Sequence, residues 1–286
     1  MSASSTHVLV VGIDGVRYDT LLEVATPVID RIAEQGFLRK IRVNDAGPTI
    51  SGPSWSTITT GVLAPVHDIW NNEISPNNLA ANPDFVYLAR TELGAATFTG
   101  AAWPPLVSEI SGGPILADGG LLPGGVAPTS EQEWHDADQA VADAAVAFDS
   151  ELTAPVSASF VYLGGCDAIC HADGVGDSYR TFVEASDRRL GEVLAAVEAR
   201  PNRADETWSI IVVTDHGHLD PGGHGGDSDL ERTAWIAACG AGVRRPAEGP
   251  LEQADVAGHV FSVLGLRPRS SDFFGVPFGE RTDQAA

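Results

Sequence analysis

Residues 207–226, TWSIIVVTDHGHLDPGGHGG, decide how the rest of the chain is read. Ile210-Ile211-Val212-Val213 is a continuous β-branched run of the kind that forms a strand buried on both faces of a parallel sheet, and it stops at Thr214-Asp215-His216-Gly217. In open α/β sheets ligands bind beyond the carboxyl ends of the strands, and this end carries acids, three imidazoles and several glycines. Asp215, His216 and His224 are all able to ligate a metal. A polar, Gly-rich surface loop would account for any one of these residues but not for the combination.

Working outward, Val8-Leu9-Val10-Val11-Gly12-Ile13 is a second buried-strand pattern, and it also ends on an acid, Asp14. Ser159-Phe160-Val161-Tyr162-Leu163 is a third. Gly164-Gly165 hand it over to Cys166-Asp167-Ala168-Ile169-Cys170-His171, where Asp167 and His171 stand four apart and point the same way on one helical turn or a compact loop. Residues 37–43, 97–100 and 233–239 read as further strands. Helical spacing is plain at 130–149 (Trp134, Ala137, Val141, Ala145, Phe148) and at 177–199, and shorter helices are expected at 84–93 and 253–264. Thr26-Pro27 reads as an N-cap and first-turn proline, with Gly36 as the stop. The pattern predicts an α/β fold: a central, mostly parallel sheet with helices on both faces, in one domain spanning 1–286. A loop-rich excursion is expected at about 103–130, where 111–129 (SGGPILADGGLLPGGVAPT) is dense in glycine and proline and is placed over the site as a lid candidate. The last residues, 279–286, are expected to fray.

The stretch 47–61, GPTISGPSWSTITTG, is a turn leading into a short helix that begins near Pro53. A helix start presents free N–H groups and the positive end of the macrodipole, a seat for an anion. Taken alone, Ser51 or Ser54 there reads as a helix cap.

Composition narrows the function. With 39 acidic against 17 basic residues the formal charge is −22, which argues against a surface that neutralises nucleic-acid phosphates. Three cysteines do not make a disulfide framework, and the Cys166/Cys170 pair reads as buried packing and not as a thiolate site. The amino-terminal apolar run is too short for a membrane span or signal, so the expectation is a cytoplasmic protein without a membrane partner. Oligomeric state is not legible.

Asp14, Asp167, His171, Asp215, His216 and His224 thus come from three strand ends and one loop. Three carboxylates and three imidazoles suit two zinc-like ions, which in two-metal sites lie roughly 4 Å apart and clamp the attacking and leaving oxygens of phosphoryl transfer. A serine hydroxyl at a helix N-terminus would complete such a site.

The motifs IDG around Asp14, PTISGPS around Ser51, PVHDIWNN at 65–72, AAWPP at 101–105, DAICHADGVG at 167–176, TDHGH at 214–218 and GGHGG at 222–226 resemble the alkaline phosphatase superfamily, most closely its nucleotide pyrophosphatase/phosphodiesterase branch. The resemblance implies two zinc ions, one held by Asp14, Asp215, His216 and the nucleophile, the other by Asp167, His171 and His224. It places the nucleophile at Ser51, reversing the cap reading, and it matches Asn72 to an asparagine that binds a phosphate oxygen. Two departures stand out. Serine takes the place of the branch's usual threonine at Ser51 and of an asparagine at Ser54, and a short loop replaces a long insertion between His216 and His224, which implies an open, pared-down pocket. Ser54 and Trp103 are carried as substrate contacts beside Asn72, with Trp70 and 111–129 near the leaving group.

Of the other histidines, His7 is expected to be solvated, His67 to support the site from behind, and His135 and His259 to be structural. His218 ranks second to His224 as a ligand. The expected function is a phosphodiesterase or nucleotide pyrophosphatase acting on a small phosphate ester through a phosphoserine. A phosphomonoesterase or phosphonate hydrolase is the alternative within the superfamily, and a non-catalytic zinc-binding protein the alternative outside it.

Overall fold

The computed structural model describes residues 5–244 and 249–281. Six strands, β1 (Ser5–Ile13), β2 (Phe37–Arg42), β3 (Ala96–Ala101), β4 (Val156–Leu163), β5 (Glu206–Val213) and β6 (Thr233–Gly240), form one sheet in the order β2-β6-β5-β1-β4-β3. β1 is parallel to both β4 and β5, β3 is parallel to β4, and β6 alone runs against its neighbours β5 and β2.

The unbroken apolar runs reflect cores on both faces of the sheet. Val8, Val10, Phe160, Tyr162, Ile211 and Val213 face one core, which the helices Ser51–Thr60, Phe85–Leu93 and Asp255–Leu264 cover through Trp55, Ile58, Phe85, Val256 and Val260. Leu9, Val11, Val161, Leu163, Ile210 and Val212 face the other, covered by Pro27–Gln35, Glu131–Glu151 and Asp177–Glu198 through Ile29, Ile32, Val141, Phe182 and Leu190. Because β5, β1 and β4 are adjacent and parallel, their carboxyl ends emerge side by side. Asp14 N donates to Leu163 O at 3.0 Å, and Gly15 N donates to the Asp215 carboxylate at 3.0 Å, so the three ends are tied directly.

The strand expected after the opening helix lies at the sheet edge against β6, where the backbone approaches Ala238 so closely that only a glycine fits at Gly36, the expected helix stop. Three local expectations are revised. Thr26 makes no side-chain cap; the Asp187 carboxylate reaches across from the helix Asp177–Glu198 and accepts from Val28 N (3.1 Å) and Ile29 N (2.9 Å). The segment 113–121 is no free lid: Ile115 and Leu116 are buried, and Leu121 pairs with Thr99 and Ala101 along the outer side of β3. At the carboxyl end Arg281 is ion-paired to the buried Asp255, while 282–286 lie outside the described residues. No helix among the described residues is long and apolar enough to cross a membrane.

Candidate metal centre

Asp14 and Asp215 leave adjacent strand ends fully buried. Asp14 Oδ2 accepts from Trp55 Nε1 (2.9 Å) and the Tyr162 hydroxyl (2.6 Å), and Asp215 Oδ1 accepts from Gly15 N. The remaining oxygens, Asp14 Oδ1 and Asp215 Oδ2, have no hydrogen-bond partner. Both face His216 Nε2, at 3.6 and 3.1 Å. The same nitrogen lies 3.3 Å from Ser51 Oγ. Ligand atoms on a tetrahedral zinc with bonds of about 2.0–2.1 Å stand ~3.3 Å from one another. These residues therefore fit such an ion: two orphaned carboxylate oxygens and one hydroxyl each stand at that spacing from one imidazole nitrogen.

The second group is built on the helix Gly165–Asp173 that follows β4. Asp167 Oδ1 is 3.5 Å from His171 Nε2 and 3.4 Å from His224 Nε2, and the two imidazole nitrogens are 2.9 Å apart. Three donors at that spacing leave a fourth position open. His224 Nδ1 donates to Thr49 O at 2.7 Å, the outer contact that fixes a ligating imidazole with its Nε2 lone pair turned inward.

His218 also reaches this group, with Nε2 2.9 Å from Asp167 Oδ1, and donor atoms of Asp167, His216, His218 and His224 lie within 4.8 Å of one another. Its Nδ1 is buried without a partner. Ligation through Nε2 would oblige Nδ1 to carry a buried, unpaired proton, whereas donation from Nε2 to Asp167 leaves only a lone pair there. We therefore read His218 as the group that holds the Asp167 oxygen. Gly15 makes room for it, since a Cβ at that position would stand 2.5 Å from His218 Nε2.

Electrostatics mark the same cluster. Burial, then the charge of Asp167, pushes Asp14 up to about 7. Burial and the Asp14 charge push Asp215 well above the usual carboxylate range. Burial acts on Asp167 in the same sense, yet hydrogen bonds from His218 and His224 hold it well below that range. Burial depresses His216; on His224 burial also acts downward but is outweighed by Asp167, which raises it. Protons on Asp14 and Asp215 are what a cation would displace.

Ser51 is the first residue of the helix Ser51–Thr60, two residues earlier than the sequence placed the start, and it caps nothing: Ile50 holds the cap position and the Ser51 hydroxyl faces His216. Asn72 Oδ1 accepts from Gly52 N at 2.8 Å, which turns its Nδ2 outward beside that helix start. The Trp103 ring lies 6.5 Å from that of Tyr162, whose hydroxyl holds Asp14. Ser54 is not brought to the cluster; its buried hydroxyl lines a small cavity with Asn44, Pro48, Thr57 and Gln253.

His7 is buried, not solvated, and contacts Ser157 and Glu206 at the opposite end of the sheet. His67 sits in the core against Thr57 and Ile69 N. His135 stacks on Phe182 and His259 on Phe278, both structural as expected. The three cysteines are free and buried, and burial pushes the Cys170 thiol up to about 12 and that of Cys166 higher still, so neither offers a thiolate. Trp55, Tyr162 and Thr49 went unnoticed in the sequence. Tyr162 alternates with Phe160 and Ala158 on the face of β4 that Trp55 covers, which is the one signal that would have paired them.

Comparison with known proteins bears on the fold and the family. A search of curated proteins returns no match. The fold is similar to that of BT1596, a 2-O GAG sulfatase (TM-score 0.71, 13% identity, 99% of this chain and 76% of that one covered). It is similar also to the phosphonate monoester hydrolase of Agrobacterium radiobacter (TM-score 0.64, 18% identity, 95% and 76% covered). A third is murine ectonucleotide pyrophosphatase/phosphodiesterase 5, solved in complex with AMP (TM-score 0.60, 15% identity, 91% and 95% covered). At these identities the likeness is one of fold. The sequence match is more telling, and because it runs over residues 8–285, the chain belongs to the type I phosphodiesterase/nucleotide pyrophosphatase family.

Proposed function

We propose that the protein hydrolyses small phosphodiesters or nucleotide-like pyrophosphates through a phosphoserine on Ser51, with one divalent ion, zinc by its N and O donors, held by Asp14, Asp215, His216 and Ser51 and a second by Asp167, His171 and His224. The observation that carries this reading is the meeting of Ser51 Oγ with His216 Nε2, at 3.3 Å, on the side where Asp14 Oδ1 and Asp215 Oδ2 lack partners. When bound, the two ions supply Lewis-acid charge to the phosphoryl oxygens and ease loss of the Ser51 proton. Ser51 Oγ bonds to phosphorus as the bond to the leaving oxygen breaks. That oxygen departs with the electron pair and is protonated by water, and a second water then cleaves the phosphoserine and returns the hydroxyl. Asn72 Nδ2, turned outward by the bond that Asn72 Oδ1 accepts from Gly52 N, would meet a non-bridging oxygen.

Charge favours a diester. Three carboxylates against two divalent ions leave about one positive charge while Ser51 keeps its proton and about none once it is lost, a balance that suits a monoanion better than a dianion. Among the described residues no lysine or arginine bonds to Asp14, Ser51, Asp167, His171, Asp215, His216 or His224. A sulfate ester is a monoanion too, and the similarity to a sulfatase fold makes it the second reading. Rates on a bis-aryl phosphate, a mono-aryl phosphate and an aryl sulfate separate the three, with the first expected to lead. Ser51→Ala is expected to cut turnover by a factor on the order of 10³ or more while zinc content stays unchanged. Substantial activity in that variant removes Ser51 from the reaction.

A further inference from the structure

His224 stands in a stretch dense in glycine. Gly222, Gly223, Gly225 and Gly226 flank it, and the first three have φ of +90°, +86° and +112°. Glycine backbone loses the most conformational freedom on ordering, so a ligand placed there has to be held by groups outside its own segment. Two residues do so. Glu231 Oε1 accepts from Gly226 N at 2.7 Å. The rest falls to Thr49: its carbonyl accepts from His224 Nδ1 (2.7 Å), and its hydroxyl accepts from Gly225 N (3.0 Å) and donates to Gly226 O (2.9 Å). Thr49 is fully buried, two residues ahead of Ser51, and Ile50 between them packs against Gly225.

We propose that Thr49 is a positioning residue that locks His224 to the turn carrying Ser51, so that one metal ligand and the nucleophile keep their spacing as a unit. This rests on reading His224 as a ligand and Ser51 as the nucleophile. The two halves of Thr49 have separate tasks. Its carbonyl sets the tautomer, leaving the Nε2 lone pair turned toward Asp167 and His171. Its hydroxyl pins the peptide groups on the far side of His224, so the ring does not swing with its glycines.

The separation makes the test specific. Thr49→Val keeps the shape and the carbonyl but loses the hydroxyl, and Thr49→Ser keeps the hydroxyl. Zinc is titrated into the EDTA-treated full chain against a chromophoric chelator, with the melting temperature of each metal-free protein measured alongside. The wild type is expected to bind two zinc ions, Thr49→Val to lose about tenfold or more in affinity for one of them, and Thr49→Ser to match the wild type. Thr49→Ala carries the same expectation if the valine variant does not fold. A valine variant that melts lower yet binds both ions as the wild type does overturns the proposal, as does a serine variant impaired like the valine one. A wild type that takes up no zinc fails the metal reading itself, a result distinct from two ions bound alike by wild type and variant.

Discussion

Asp149 sits in the last turn of the helix Glu131–Glu151 with its carboxylate buried and both oxygens without partners. Burial pushes it from an ordinary value of 3.8 up to about 7, against the pull of Arg200. An acid whose folded pKa lies above its unfolded value keeps its proton in the native state after the unfolded chain has released it. Its contribution is therefore fully present below about pH 4 and is lost as pH rises toward 7. Asp149→Asn keeps the shape without the ionisation. Relative to wild type it is expected to gain about 2–3 kcal/mol between pH 5 and pH 8, read from urea unfolding in EDTA. An equal difference at both pH values would show that Asp149 does not titrate in this window. At this scale the sequence reveals residues whose chemistry is unusual for their place. Asp14 and Asp215 end apolar runs, where a carboxylate has no packing role. It hides residues whose ordinary packing role is also their functional one, so Trp55 and Tyr162 look like core while their polar atoms hold Asp14.

The helix Gly165–Asp173 carries Asp167 and His171, yet its own N-terminus supplies no cap. Asp138, on the buried face of the helix Glu131–Glu151, accepts from Gly164 N (2.9 Å) and Gly165 N (3.0 Å), one oxygen each. The position of Asp167 and His171 is thus set by an element that carries none of the proposed ligands. Asp138→Ala leaves two buried N–H groups unpaired and is expected to cost about 2–4 kcal/mol in metal-free urea unfolding. It is also expected to weaken zinc binding by about tenfold. Lost stability with unaltered zinc affinity would make Asp138 a cap and nothing more. The helix Glu131–Glu151 was legible from its spacing, and so was a hint of this role: Asp138 and Asp149 lie on the stripe of Ala137, Val141, Ala142 and Ala145, an apolar face where an acid needs a partner. What spacing does not reveal is which neighbour receives the carboxylate, because that depends on the order of strands in the sheet. The same limit applied to β2, whose sequence reads as a strand but whose place beside β6 depends on a crossover of the whole chain.

Across the molecule the acids outnumber the basic residues enough to give a formal charge of −22, and two kinds of cation effect have to be told apart. Self-repulsion of a surface this acidic is relieved by any salt, within a Debye length of about 10 Å at 0.1 M. The buried cluster is different, because Asp14 Oδ1 and Asp215 Oδ2 lie at ligand distance from His216 Nε2 and are shielded from diffuse counter-ions. Sodium chloride is therefore expected to raise the melting temperature gradually and without saturating. Zinc is expected to raise it further at micromolar concentration, saturating at two ions per chain and adding about 3 kcal/mol per site when free zinc is 100 times its Kd. Differential scanning calorimetry in zinc-buffered solutions at fixed ionic strength measures the second effect alone. A zinc response that continues past two equivalents, or that magnesium reproduces at equal ionic strength, would assign the stabilisation to the surface. Saturation at two, lost in Asp215→Asn but kept in Ser51→Ala, would locate it at the carboxyl ends of β1, β4 and β5. In the proposed site the serine would contribute one hydroxyl to a set in which carboxylates and imidazoles supply the charge and most of the donors, so its removal is expected to leave both ions held.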